Sequence, residues 1–139
     1  MIKKKKLLLA LLLLPLTSFA TDWILIAGSG ANSTKLDTAS IKRSGTIVTF
    51  WTVENFSPKD QYGNSSYKSQ SMIDCRTSQL AAKQLQSFSG ADAKGIQNYS
   101  QQAPFIDWVP IPIDSIGAKL MAYVCKSESV HLLVRLPRS

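Results

Sequence analysis

Two cysteines, one histidine and nine carboxylates are the side chains of this 139-residue chain from which covalent, metal or acid–base chemistry is most readily built. Cys75 stands in "SMIDCRTSQ" and Cys125 in "MAYVCKS". A thiol nucleophile needs a neighbouring base, and His131 is the only imidazole in the chain. Zinc needs three or four ligands, usually Cys or His, at recognisable spacing. Cys75, Cys125 and His131 make three, none of them spaced as ligands. The remaining possibility is that the two cysteines bridge each other.

The carboxylates offer no more. Glu54 and Glu128 lie in different segments, and Asp107 and Asp114 flank the proline-containing stretch "WVPIPI". Glycoside hydrolysis requires two carboxyls at a defined gap, and solvated aspartates are the commoner state of such residues. No G-x-S-x-G, H-E-x-x-H or calcium-loop pattern occurs, and "GSGANSTK" has the wrong order for a phosphate loop. The expectation is a protein without catalysis, cofactor or metal.

The N-terminus decides among the cysteine readings. Lys3 to Lys6 form a positive cluster, "LLLALLLLPL" (7–16) is an apolar run, and "SFA" (18–20) supplies small residues at a cleavage site. This is the pattern of a secretory signal, residues 1–20, removed after Ala20. The run stops at Thr17, short of the ~20 residues that a membrane span needs. No cysteine lies near the cleavage site, so a bacterial lipid anchor is not expected. Export implies an oxidising compartment and favours a Cys75–Cys125 bridge over a reactive thiol or a metal ligand.

The expected mature chain, 21–139, is one domain. The formal charge of +7 includes the four leader lysines. Without them twelve basic residues face nine acidic ones, too mild an excess to argue for nucleic acid.

The elements that position these residues read mostly as short strands. "DWILIAGSG" (22–30) reads as a buried strand and "ANSTK" (31–35) as a loop. Residues 35–45 read as a short strand or turn closing at Gly45. "TIVTFWTVENF" (46–56), rich in β-branched and aromatic residues, reads as a central strand. Ile47, Trp51 and Val53 face one way along it; Val48, Phe50 and Phe56 face the other. "SPKDQYGNSS" (57–66) reads as a hairpin loop. In "YKSQSMIDC" (67–75), Tyr67, Ile73 and Cys75 share one face, opposite Lys68, Gln70, Met72 and Asp74.

"TSQLAAKQLQSFSG" (77–90) favours helix by composition, with Ala81, Leu85 and Phe88 on one stripe; as a strand it would group Leu80, Ala82 and Phe88. "ADAKG" (91–95) reads as a turn and "IQNYS" as a short strand. Residues 101–114, with Pro104, Pro110 and Pro112, read as an extended connection. Asp114 or Ser115 can cap a helix through "SIGAKLMAYVC", with Ile116, Leu120, Tyr123 and Val124 on its apolar stripe. Cys125 falls off that stripe, which places the bridge at the helix end. "VHLLVRLP" (130–137) reads as a last strand or docked tail. Together these give an α+β domain: a single antiparallel β-sheet with a C-terminal α-helix packed against it.

Binding residues are weakly marked. Lys42, Arg43, Lys59 and Lys68 flank the central strand and would form a basic rim, although a solvated face is the commoner meaning of such charges. Tyr62, on the loop, is the aromatic expected to be most exposed. Trp23, Trp51, Trp108, Tyr67, Tyr99 and Tyr123 are more readily placed in a core. Four N-x-[ST] triplets, starting at Asn32, Asn55, Asn64 and Asn98, are attributed to chance in a serine-rich chain.

The order of these pieces resembles the surface-adhesin protein E family of Gram-negative bacteria. The matching residues are Trp23 in "DWILIA", Ser40–Ile41, Trp51, "YKSQSMIDC", Tyr99–Ser100, Trp108, Pro112, "SIGAKL" and "YVC", over roughly 23–126. The resemblance implies that 77–90 lies in the sheet and that a disulfide ties sheet to helix. It also implies attachment to host proteins such as vitronectin and laminin, without catalysis. The expected function is an exported binding protein, on the cell surface or, alternatively, a soluble periplasmic module serving envelope assembly.

Overall fold

The computed structural model describes residues 20–126. The leader up to residue 19, His131, Glu128 and the stretch 130–137 lie outside the described residues.

β-Branched and aromatic residues recur through the chain, and the structure turns them into one meander. The strands are β1 (Trp23–Ser29), β2 (Asn32–Ser44), β3 (Ile47–Asn55), β4 (Ser66–Asp74), β5 (Gln79–Phe88) and β6 (Gln97–Gln102). Each pairs antiparallel with the next, in the order β1-β2-β3-β4-β5-β6. A short β7 (Val109–Pro110) pairs with the start of β5. One helix, α1 (Ile116–Val124), follows. The antiparallel sheet, the C-terminal helix and the Cys75–Cys125 disulfide are as the sequence led one to expect.

Several local expectations are corrected. Residues 32–35, expected as loop, belong to β2, because the chain reverses earlier, at Gly30–Ala31. That early turn depends on Gly28. Its φ is +76°, and a Cβ there would lie 2.2 Å from the Asn32 carbonyl oxygen, so only glycine fits. β1, expected to be buried, is the sheet's first strand, paired on one side only among the described residues and half-buried at most. The segment 35–44 is a full strand with an irregularity between Asp37 and Lys42. There the Ser40 hydroxyl accepts the Trp51 N–H at 2.8 Å, replacing a ladder bond.

β5 is a strand despite its helix-favouring composition. A bulge at Lys83 lets Ser71 face Ala82 while Gln70 faces Gln84. Leu80 and Ala82 therefore share a face with Leu85 and Ser87, and Phe88 turns to the other side. The expected grouping of Phe88 with Leu80 and Ala82 does not hold.

The central position of β3 is confirmed. Val48 and Phe50 are fully buried with Leu36, Ile73, Leu120 and Val124 in one cluster. The helix stripe differs from expectation: Leu120 and Val124 are buried, whereas Ile116 and Tyr123 are 44% and 46% exposed. Met121 takes part in their place. The tryptophans are not core residues either; all three are half-buried. Trp51 carries the Lys68 ammonium 4.8 Å above its ring.

Helix capping and covalent closure fix α1. Ser115 is the N-cap, its hydroxyl accepting the Ala118 N–H at 3.1 Å. Cys125 is the C-cap, bonded to Cys75 just past β4, with the Cα atoms 5.8 Å apart. Arg43 donates to the Val124 carbonyl at 2.7 Å, placing a cation at the helix C-terminus where carbonyls lack helical partners.

Candidate functional site

Strand alternation and register sort the sheet into two faces. One carries Leu36, Val48, Phe50 and Ile73, clustered with α1 residues. Followed along the ladder, that same face continues through Tyr67, Leu85, Ser87 and Tyr99. There, beside the β3–β4 loop, it opens into a cavity of about 450 Å³. This is the size of an ordinary small-ligand pocket.

Three devices shape the cavity. The first is the loop. One Asp60 carboxylate oxygen accepts the backbone N–H groups of Tyr62 and Asn64, each at 2.9 Å. The other accepts the Asn64 amide at 3.0 Å and the Tyr67 hydroxyl. The Tyr67 hydroxyl, and after it the Asn64 amide and the two backbone donors, hold the Asp60 carboxyl down to about 2 against desolvation. The same bond pushes the Tyr67 phenol up. Asp60 is thus an anion with both oxygens committed.

The second device is a bulge in β6. Ser87 faces Tyr99 and Phe88 faces Gln97, so Asn98 is the extra residue. Its amide donates to Asn64 at 2.8 Å, joining the edge strand to the loop across the cavity mouth. The third is Ser87 itself. It is 2% exposed, and its hydroxyl has no hydrogen-bond partner among the described residues. Buried hydroxyls are ordinarily paired, and this one lines the cavity.

The cavity does not end there. Leu85 and Tyr99 also line a second hollow of about 230 Å³, and Ala82 and Ala103 carry that one into a third of about 360 Å³. The result is a track along β5 and β6 from Tyr62 to Phe105 and Val109. Large apolar side chains stand exposed on it: Tyr62 at 73% and Phe105 at 70%, with Leu85, Tyr99 and Val109 each at 40% or more. A contiguous exposed apolar strip is characteristic of an interaction surface. β6 pairs on one side only among the described residues.

The opposite face is closed by polar bonding. The turn Ala91–Ala93 folds onto it, with Asp92 accepting from Lys35 at 2.8 Å and from Asn55 at 2.7 Å. The Lys35 bond, followed by that from Asn55, lowers the Asp92 carboxyl. Ser66 takes the Ala93 N–H at 3.1 Å.

The four residues singled out from sequence do not meet. Arg43 serves the helix end. Lys42, opposite Thr49, and Lys68, over Trp51, are on the closed face. Tyr62 alone borders the cavity. Asn64, Ser87 and Asn98 carried no signal of a site in the sequence, because only register and a bulge bring them together. No cluster of three or more His, Cys, Asp or Glu that could hold a metal occurs among the described residues.

The profile of a family described as Surface-adhesin protein E matches residues 23–126. Solved structures of Haemophilus influenzae protein E share the fold. One crystal form gives a TM-score of 0.62 at 14% identity, covering 81% of this chain and 96% of that one. A second gives 0.61 at 15%, covering 83% and 92%. Protein E from a non-typeable strain gives 0.60 at 14%, covering 84% of each chain. No curated protein matches this chain.

Proposed function

This chain belongs to the surface-adhesin protein E family, and from that premise we propose that it is an exported, non-enzymatic protein that binds host matrix or serum proteins at the bacterial surface. The observation that carries the reading is the extent of the match: it spans every described strand, the described helix and both cysteines. The exposed apolar track along β5 and β6 supports it as the contact surface, since large exposed apolar strips accompany protein association. In this reading residues 1–20 are a cleaved signal and 21–139 the adhesin domain, with α1 held as a cover on one end of the sheet by the bridge. No described helix is long and apolar enough to cross a membrane.

The second reading is a soluble periplasmic module serving envelope assembly. One observation favours it: both cysteines are taken up in the bridge, which leaves neither thiol to carry a lipid.

The adhesin reading is tested with the mature chain, 21–139, passed over immobilised vitronectin and laminin. Saturable binding to at least one is expected. Phe105→Asp, which puts a charge in the apolar track, should weaken it at least about tenfold, the scale of an interface anchor. Binding no stronger than that of an unrelated exported protein of similar charge would sink the reading.

A further inference from the structure

The three tyrosines Tyr62, Tyr67 and Tyr99 line a cavity that has no cationic side chain among its described lining residues. Among the described residues, no lysine or arginine lines the cavity or either of its two continuations. The charged groups tied to its walls are negative. Asp60 is bonded directly to Tyr67 and Asn64 in the cavity wall. Glu54 faces Tyr67 across the β3–β4 ladder. At the far end of the track stands Asp107. Of the cations in this region, Lys35 and Lys68 are engaged on the closed face, against Asp92 and Trp51, while Lys59 in the loop and Lys83 at the β5 bulge are not among the residues that line the three hollows. Among the described residues, a chain with a basic excess thus lines one aromatic hollow without a cationic side chain and backs it with carboxylates.

Aromatic faces with a negative potential behind them attract organic cations. The polar groups narrow the choice. A guanidinium would seek a carboxylate with two open oxygens, and Asp60 offers none, because both of its oxygens already accept hydrogen bonds. An ammonium is compact and needs only single acceptors. Ser87, a residue of the cavity wall whose buried hydroxyl has no partner among the described residues, supplies such an acceptor. We propose that the Tyr62–Tyr67–Tyr99 cavity receives the ammonium end of a lysine side chain from a protein partner lying along the β5–β6 track. This deepens the binding-module reading and rests on it for the partner, though not for the chemistry of the pocket.

The test uses the mature chain and small probes, so it does not depend on knowing the partner. Nα-acetyl-lysine N-methylamide and its uncharged counterpart, Nα-acetyl-norleucine N-methylamide, are titrated while amide ¹H–¹⁵N shifts are followed. Saturable shifts are expected at Tyr62, Ser87 and Tyr99, with the lysine probe bound roughly 5- to 30-fold more tightly, the range of a partly desolvated cation–π contact. The double variant Tyr62→Ala/Tyr99→Ala should lose that preference, while Tyr62→Phe, which keeps the ring, should retain it. Equal affinity for the two probes, no shifts with either, or an unchanged preference in the double variant would each overturn the proposal. Choline chloride is the third probe: tighter binding of choline than of lysine would also overturn it, assigning the cavity to quaternary ammonium instead. Binding of the chain to vitronectin or laminin without a lysine preference would defeat this inference alone and leave the adhesin reading standing.

Discussion

Replacing both cysteines, Cys75→Ala with Cys125→Ala, is expected to lower the unfolding free energy by about 4 kcal/mol. The bridge closes a loop with a sequence separation of 50 residues, and constraint of the unfolded chain at that size gives this magnitude. A domain of this length has roughly 5–15 kcal/mol in total, so the melting temperature should fall by roughly 15 °C or more. The loss should also be uneven. α1 has nine residues, too few for an independent helix in water. Only Leu120 and Val124 of it are buried. Its amides should therefore exchange faster in the variant than those of β3, which has a paired strand on each side. Thermal unfolding and amide exchange measure the two effects. A loss below about 1 kcal/mol, with α1 as protected as before, would show that packing rather than the bridge holds the helix.

The second large effect is expected from Phe50→Ala. Phe50 is fully buried at the middle of β3, in the cluster with Leu36, Val48, Ile73, Leu120 and Val124. Removing its ring leaves a cavity that the surrounding strands, pinned by ladders on both sides, cannot close. The cost should be about 3–5 kcal/mol, or roughly 10 °C or more in melting temperature. Leu25→Ala is the control: Leu25 is 57% exposed on the outer strand and should cost within about 0.5 kcal/mol. Denaturant unfolding of the two variants side by side decides it. Comparable losses would mean that the core does not centre on Phe50.

The contrast between those residues also marks how far the fold could be read from the sequence. β3 is legible because "IVTFW" states a buried strand locally, and the cysteines are legible because the export expected from the leader would restrict what they can do. β5 was not legible from its own residues. Ala81, Ala82, Leu85 and the glutamines favour helix, and the segment is a strand because β4 and β6 supply ladder partners on both sides. Only the family resemblance placed it in the sheet. Asn32 to Lys35 look like loop in the sequence because the reversal rests on Gly28, whose requirement is set by the Asn32 carbonyl opposite it.

The cavity was less legible still. Ser87 and Tyr99 are neighbours through register, and Asn98 reaches Asn64 through one inserted residue. Neither fact leaves a periodic trace in the sequence. Arg43 shows the converse. It read as part of a basic rim, yet its alternation with Lys42 sends the two side chains to opposite faces, one to the helix end and one away from it. Charges adjacent in a strand cannot form one patch, a constraint that becomes usable only once the segment is known to be a strand.

The central claim, that this is a binding protein displayed on the cell exterior, is tested most directly by protease treatment of intact cells that produce it. The surface reading predicts that the mature protein disappears from immunoblots under external protease while a periplasmic marker in the same cells stays whole. Survival of the protein together with that marker would contradict surface display and transfer the chain to the periplasmic reading.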